Sequence, residues 1–337
     1  MKKSLIALAA LAAFGTASAQ STVTISGTYN VAAQKAATGA ESIDLVDSNI
    51  TFTAVEDLGG GMKATISSQI QANGRQDITT AADTAANVTA HTVGNQAKKD
   101  GVWGRNASVT LSGGFGAVSV GRLESSNIIE KAIVAPHFLA QGFDRSYLAG
   151  SKSNGTSAGY TAPTMSGFTV GFSRFTNLDI NFAPVAGAAD AELSIDTLGG
   201  NYSNGPLTVD FANKRYTNGS TSKGTKNEIG ATYTMGPAKF GIGAASHSGA
   251  YFRSTTMTGN TTVLSASYLL TPEVTVGLTN ARRADGAGIT GAKGVAYTAE
   301  YALSKRTQLN ASAGKMQKAG DTANNYNQYR LGIKSTF

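Results

Sequence analysis

Apolar and polar residues alternate with a period of two in run after run of this chain. The last ten residues show it most cleanly: Tyr329, Leu331, Ile333 and Phe337 alternate with Arg330, Lys334 and Thr336. Successive side chains of a β-strand leave opposite faces, so this spacing gives one apolar face and one polar face. No sustained helical period competes with it. A chain made of such segments must turn its apolar faces away from water and keep its polar faces wet.

The pattern starts early. Val23, Ile25, Tyr29 and Val31 alternate with Thr24, Ser26, Thr28 and Asn30, and Ile50 and Phe52 alternate with Asn49, Thr51 and Thr53. Glu56-Asp57-Leu58-Gly59-Gly60-Gly61 reads as a tight turn, because Asp and Gly supply the backbone angles a turn needs. Met62, Ala64, Ile66 and Ile70 resume against Lys63, Thr65, Ser67, Gln69 and Gln71. After a polar stretch, 73–101, Ala107, Val109 and Leu111 continue to a turn at Ser112–Gly116.

Short turns recur at Pro163–Gly167, Asn204-Gly205-Pro206, Met235-Gly236-Pro237, Thr271-Pro272-Glu273 and Ser304–Thr307. Longer polar loops are expected near 176–195, 214–226, 247–260, 282–292 and 316–326. The count is about sixteen strands of ~8–11 residues, even in number, with short turns at one end and long loops at the other. This predicts an all-β fold, a transmembrane antiparallel β-barrel. A soluble β-sandwich also alternates, but rarely keeps one short-turn end through so many strands.

The first residues fit an exported chain. Met1-Lys2-Lys3 precedes the apolar stretch Leu5 to Phe14 and the small-x-small site Ala17-Ser18-Ala19. The expectation is a signal peptide over 1–19 and one barrel domain over 20–337. The apolar stretch is shorter than the ~20 residues of a membrane helix. The absence of Cys rules out a disulfide scaffold and a cysteine nucleophile. With 40 Gly, 6 Pro and 15% charged residues, the composition suits short alternating strands. Tyr160, Phe168, Tyr233, Tyr268, Tyr301, Tyr329 and Phe337 are expected to form an interfacial girdle beside the short turns.

Several segments carry a more specific resemblance. Ser48-Asn49-Ile50-Thr51-Phe52 with Glu56–Ala64 resembles the second and third strands of Gram-negative general porins of the betaproteobacterial type. Leu111–Gly116 with Val118-Ser119-Val120-Gly121-Arg122 resembles their fourth and fifth strands, and Tyr301–Thr307 with Phe337 resembles their end. The resemblance implies a homotrimer of sixteen-stranded barrels in outer-membrane lipid and lipopolysaccharide. Each barrel would pass small hydrophilic solutes and ions, with no cofactor. It also implies that the third long loop, about Leu123 to Gly150, folds inward and narrows the pore.

That loop carries Glu124, Glu130, Lys131, His137, Asp144 and Arg145. In the family, acidic groups and carbonyls there face basic side chains on the wall. Arg122 matches the Gly-Arg leading into the loop, and Lys152 is a further wall candidate. The family's Arg after the Ser that opens the second strand is replaced here by Asn49, with Thr28 as another constriction candidate. This departure implies an eyelet wider or less polarising than is usual for the family. On this reading Arg122→Glu shifts selectivity toward cations.

Parity places Lys63, Lys239, Arg330, Lys334, Asp210, Glu228 and Glu300 on the lumen face, and each is equally readable as a solvated wall residue. The formal charge of +7 falls to +5 once Lys2 and Lys3 are removed, so a weak anion preference is expected.

Other functions have weaker signals. Gly155-Thr156-Ser157-Ala158-Gly159 matches a serine-hydrolase pattern, but that motif needs a strand-turn-helix elbow and no helical pattern follows. A lipase-like barrel with Ser157 as nucleophile, and a plugged structural or adhesive barrel, are the alternatives. His91, His137 and His247 are expected in polar loops without metal-ligand spacing. The basic balance lacks the clustered Lys/Arg with aromatics that nucleic-acid binding requires.

Overall fold

The computed structural model describes residues 21–35, 41–46, 48–72, 106–136, 154–176, 193–218, 222–251, 255–256, 259–284, 291–318 and 325–337. The expected signal peptide lies outside them. The elements run β1 (Thr22–Lys35), β2 (Glu41–Leu45), β3 (Ser48–Gly59), β4 (Met62–Ala72), β5 (Asn106–Gly113), β6 (Gly116–Glu124) and α1 (Ile128–Lys131). They continue with β7 (Asn154–Thr161), β8 (Phe168–Thr176), β9 (Leu193–Asn204), β10 (Leu207–Asn218), β11 (Ser222–Met235) and β12 (Ala238–Tyr251). The last are β13 (Thr255–Thr256), β14 (Gly259–Leu269), β15 (Val274–Arg283), β16 (Ala292–Ala302), β17 (Thr307–Lys318) and β18 (Asn325–Thr336). Setting aside β2 and the two-residue β13, sixteen strands of eight residues or more form the wall.

All pairings are antiparallel, and β1 closes the sheet. Its Thr28–Lys35 pairs with Tyr329–Thr336 of β18, and its Thr22–Thr28 pairs with Asn49–Val55 of β3. Gly27 and Phe337 then exchange two backbone hydrogen bonds of 3.1 Å each. Closure leaves no open edge, which a sheet crossing hydrocarbon requires because lipid offers its backbone no hydrogen-bond partner.

Short connections gather at one end. In the two-residue β3–β4 turn, Gly59, Gly60 and Gly61 adopt φ of 78°, 61° and 80°, values that disfavour any side chain. Two expected loops prove to be largely strand. β10 and β11 stay paired from Leu207↔Tyr233 up to Asn218↔Ser222, so most of 214–226 is wall. β12 likewise runs to Tyr251 and carries His247, which is buried on the strand rather than placed in a loop. These upper strand segments are polar on both faces, which hides their period of two.

The two faces separate as parity requires. Val23, Ile25, Val109, Val118, Val120, Leu264, Leu278, Leu309, Leu331 and Ile333 are all exposed on the outer face. Asn30, Gln34, Asp210, Lys214, Glu228 and Arg330 alternate with outward neighbours and are buried on the inner face. Outward rings collect at the short-turn end: Tyr29 stacks on Phe337 at 6.2 Å, Phe168 meets Tyr202 at 4.3 Å, and the Tyr160 hydroxyl donates to the Phe115 carbonyl at 2.7 Å. Tyr233, Tyr268 and Tyr301 are exposed one or two residues from a short turn. Tyr329 departs from the expected girdle. It pairs with Lys35, and its hydroxyl donates to Glu41 near the long-loop end.

Candidate functional site: the lumen and its inward-packed segment

The chain leaves β6 at Glu124 and passes through 125–136 along the inner face of the opposite wall. Ile129 is fully buried against Ala245, Val263, Ala281 and Ala296, inward residues of β12, β14, β15 and β16, with Ile133 beside them. The Val134 and Ala135 N–H groups both donate to the Ser265 hydroxyl at 3.0 Å, and that hydroxyl lies 3.0 Å from Thr279 Oγ1.

The wall is made of small residues where the segment touches it. A Cβ on Gly277 would stand 2.6 Å from the Ala135 Cβ, and one on Gly230 would stand 3.0 Å from the Ile128 carbonyl oxygen. At Gly241 it would collide with the Ala132 carbonyl oxygen. Close packing leaves no slack for added methyl groups, so these glycines are what admit the segment. Leu123, Phe175, Ile195 and Tyr216 form a second apolar contact on the inner face of β6, β8, β9 and β10.

Charges fasten the same region. Lys131 meets Asp210 at 2.7 Å, but its side chain is half exposed and screening keeps such a pair weak. Deeper, Glu228 is held by Lys214 at 2.8 Å and by Lys226 at 2.6 Å, all three side chains being buried. Lys214 also donates to the Ser126 carbonyl, which ties the wall to the inward segment. Removing Glu228 would leave two buried ammonium groups uncompensated, whereas removing either lysine would leave a balanced pair. A cavity of about 410 Å³ has Glu124, Lys131, Ser157 and Asp210 among its lining residues.

The expected site residues divide into three groups. Asn49 faces Thr28 across β1 and β3 on the inner face, and Gln69 Nε2 donates to Thr51 Oγ1 at 3.0 Å beside it. Lys63 and Lys239 stand inward near the short-turn end, opposite Ser112 and Ser267 respectively. Lys334 and Glu300 also face inward, opposite Asn30 and Asn310. Arg330 donates through Nε and Nη2 to Gln34 Oε1 at 2.9 and 2.7 Å. Glu130 lies in α1, within the inward segment. Asp144, Arg145, Lys152, His91 and His137 lie outside the described residues.

Arg122 requires a correction. It pairs with Ala107 and Thr156 and is in step with exposed Val118 and Val120, so its Cβ leaves the outer face of the barrel rather than the lumen. Strand parity from β6 was the available signal. The paired roles of Lys214 and Lys226 were hidden inside a stretch read as loop. The seat for the segment had a legible trace: Gly230, Gly241, Gly243, Ala245, Gly277, Ala281 and Ala296 all occupy inward positions, where polar side chains are the rule for a wet lumen.

Ser157 sits mid-strand in β7, paired with Gly121 and Phe175, and not on a strand-turn-helix elbow. Among the described residues no group of three or more His, Cys, Asp or Glu could hold a metal ion.

A closed barrel of sixteen long strands, apolar outside and polar inside, defines an outer-membrane channel protein. A family model described as Gram-negative porin matches residues 7–321. The chain is similar to outer membrane porin protein 32 of Delftia acidovorans, with 31% identity over 267 residues, covering 71% of this chain and 68% of that protein. Its structure is similar to the anion-selective porin of Comamonas acidovorans, with a TM-score of 0.67, 23% identity, and coverage of 94% of this chain and 100% of that one. It is also similar to the trimer form of OmpT, an outer membrane protein of Vibrio cholerae, with a TM-score of 0.66, 13% identity, and coverage of 94% and 99%. The chain belongs to the Gram-negative porin family and is a barrel of the outer membrane.

Proposed function

We propose that the protein is a trimeric general diffusion pore for small hydrophilic solutes and ions, with weak anion preference. The observation that supports this is the closed barrel of sixteen strands with a polar inner face, on which 125–136 is seated. Selection then follows width and the charges beside the narrowing, as in other pores. Lys131 of the segment meets Asp210 of the inner wall, and Asn49 and Thr28 stand on the inner face of β1 and β3. The Lys214–Glu228–Lys226 group adds one positive charge in excess beneath the segment. Two relatives fit the reading, one named as anion-selective and one described in a trimer form.

Liposome swelling tests the diffusion claim. Neutral sugars of increasing size should enter at rates that fall steadily with size and do not saturate with concentration. Saturable entry of one sugar, or no swelling with a folded barrel, contradicts it.

A further inference from the structure

The small inward residues of the wall fall into two sets, and the segment 125–136 fills only one of them. A Cβ on Gly230, Gly241 or Gly277 would meet the segment. A Cβ on Gly159, Gly171 or Gly199 would instead meet Ser173, Tyr160 and Phe211 of the adjoining strands, at 3.1, 2.9 and 3.1 Å respectively. The register sets Gly171, Gly199 and Ala212 side by side across β8, β9 and β10. Three small inward residues in a row leave a bare strip of backbone on the wall.

This strip lines the cavity of about 410 Å³, whose other side is the end of β6 and the start of the segment, Leu123 to Lys131. That volume lies in the range of small-molecule sites. One edge of the strip is a row of hydroxyls. Thr197 is directly opposite Ser173, and Ser157 is on the diagonal from Ser173. Ser157 and Thr197 are only 4% and 8% exposed, and among the described residues no group hydrogen-bonds Ser157 Oγ or Thr197 Oγ1. Buried hydroxyls are seldom left without a partner, because each has given up its water. Both residues line the cavity from inward positions, so a solute seated there is within their reach. Leu123 and Phe175 close the margin beyond them with apolar surface.

The opposite edge is charged. Asp210 pairs with Asn201, two residues along β9 from Gly199, and its carboxylate meets Lys131 at 2.7 Å. Because the lysine side chain is half exposed, this pair is weak and opens at little cost. Asn201 to Thr197 is four residues, about 13 Å along the strand. The Asp210 and Thr197 side chains each take up part of that span. What remains suits a ligand with two opposite charges at one end and an uncharged polar group at the other.

We propose that this cavity is a binding subsite for a zwitterionic amino acid with a long, uncharged polar side chain. The subsite rests on the pore reading above, which brings solutes to the lumen. The ligand ammonium donates to Asp210 and the ligand carboxylate accepts from Lys131, so the opened pair stays compensated at both ends. The side chain crosses the bare strip, where no wall side chain obstructs it. Its terminal amide then supplies the hydrogen bonds that Thr197 and Ser157 lack.

The test uses purified full-length protein in detergent with L-glutamine as the probe, read by saturation-transfer NMR. L-Leucine lacks the polar tip, N-acetyl-L-glutamine lacks the ammonium, and D-glucose lacks both charges. Each should bind about tenfold more weakly than glutamine, the loss expected of one charge-assisted or otherwise unmet buried hydrogen bond. Thr197→Val and Asp210→Asn should weaken glutamine binding by a similar factor. Thr298→Val removes a buried hydroxyl outside the cavity lining and should leave it unchanged. No glutamine signal, equal binding of leucine or glucose, or unchanged binding in a folded Thr197→Val protein overturns the subsite. Heat-modifiable gel migration verifies folding, and where a variant does not fold the ligand comparison on wild type decides. Conductance of the same preparation separates the two readings: an open channel without glutamine binding overturns the subsite alone, and binding without conductance overturns the pore alone.

Discussion

Gly241 on β12 lies so close to Ala132 of the inward segment that no side chain fits between them: a Cβ on Gly241 would overlap the Ala132 carbonyl oxygen. The barrel wall and the segment inside it are therefore fitted to each other at the level of single atoms. On the proposed reading the width of the pore depends on that fit.

Gly241→Val should displace the segment without breaking the barrel, because the neighbouring outward residues Phe240 and Ile242 are untouched. Overpacking of this kind costs about 1–3 kcal/mol, which a large closed sheet tolerates. Single-channel conductance should rise or become noisy, while Gly114→Ala, which meets nothing within 4 Å, leaves it unchanged. Wild-type conductance in a folded Gly241→Val channel would show that the segment does not set the pore.

Glu228→Gln should destabilise strongly. Lys214 and Lys226 would lose the carboxylate that holds both, and breaking such a buried group costs ~3–5 kcal/mol. Replacing all three with apolar residues (K214M, K226M, E228L) should recover much of the loss. The midpoint of the heat-induced gel shift compares them. A single variant as stable as wild type would mean that the group is hydrated and unimportant to the seat.

Asn49→Arg should restore a lumen cation opposite Thr28. The expected result is a smaller conductance and a reversal potential moved further toward that of chloride. An unmoved reversal potential would place the narrowing elsewhere along the lumen.

Arg122→Glu should leave ion selectivity unchanged, the opposite of what the sequence suggested, because the register directs position 122 to the outer face. A clear shift toward cations would mean that the side chain wraps back over the rim into the pore.

The fold was legible because parity is a local property of the chain. Each apolar-out, polar-in strand announces itself between turn residues, as Glu56–Gly61 and Asn204–Pro206 do. Legibility failed where strands rise above the lipid band. There Lys214, Arg215, Lys223 and Lys226 are polar on both faces, and a two-faced polar strand reads as loop. The site was less legible for a different reason. Whether Lys226 pairs with Glu228 follows from two-residue spacing on one face, but its coupling to Lys214 and Ser126 needs the three-dimensional meeting of β10, β11 and the inward segment. The glycine seat was visible as small residues at inward parity, yet only the packed segment explains them.

Planar-bilayer current through the purified protein under a salt gradient is the most direct test of an open, weakly anion-selective pore. The expected result is stepwise conductance, in threes for a trimer, with a reversal potential modestly on the chloride side. Absence of conductance from a folded barrel would contradict the open pore, and a reversal potential on the cation side would contradict the assigned charge preference.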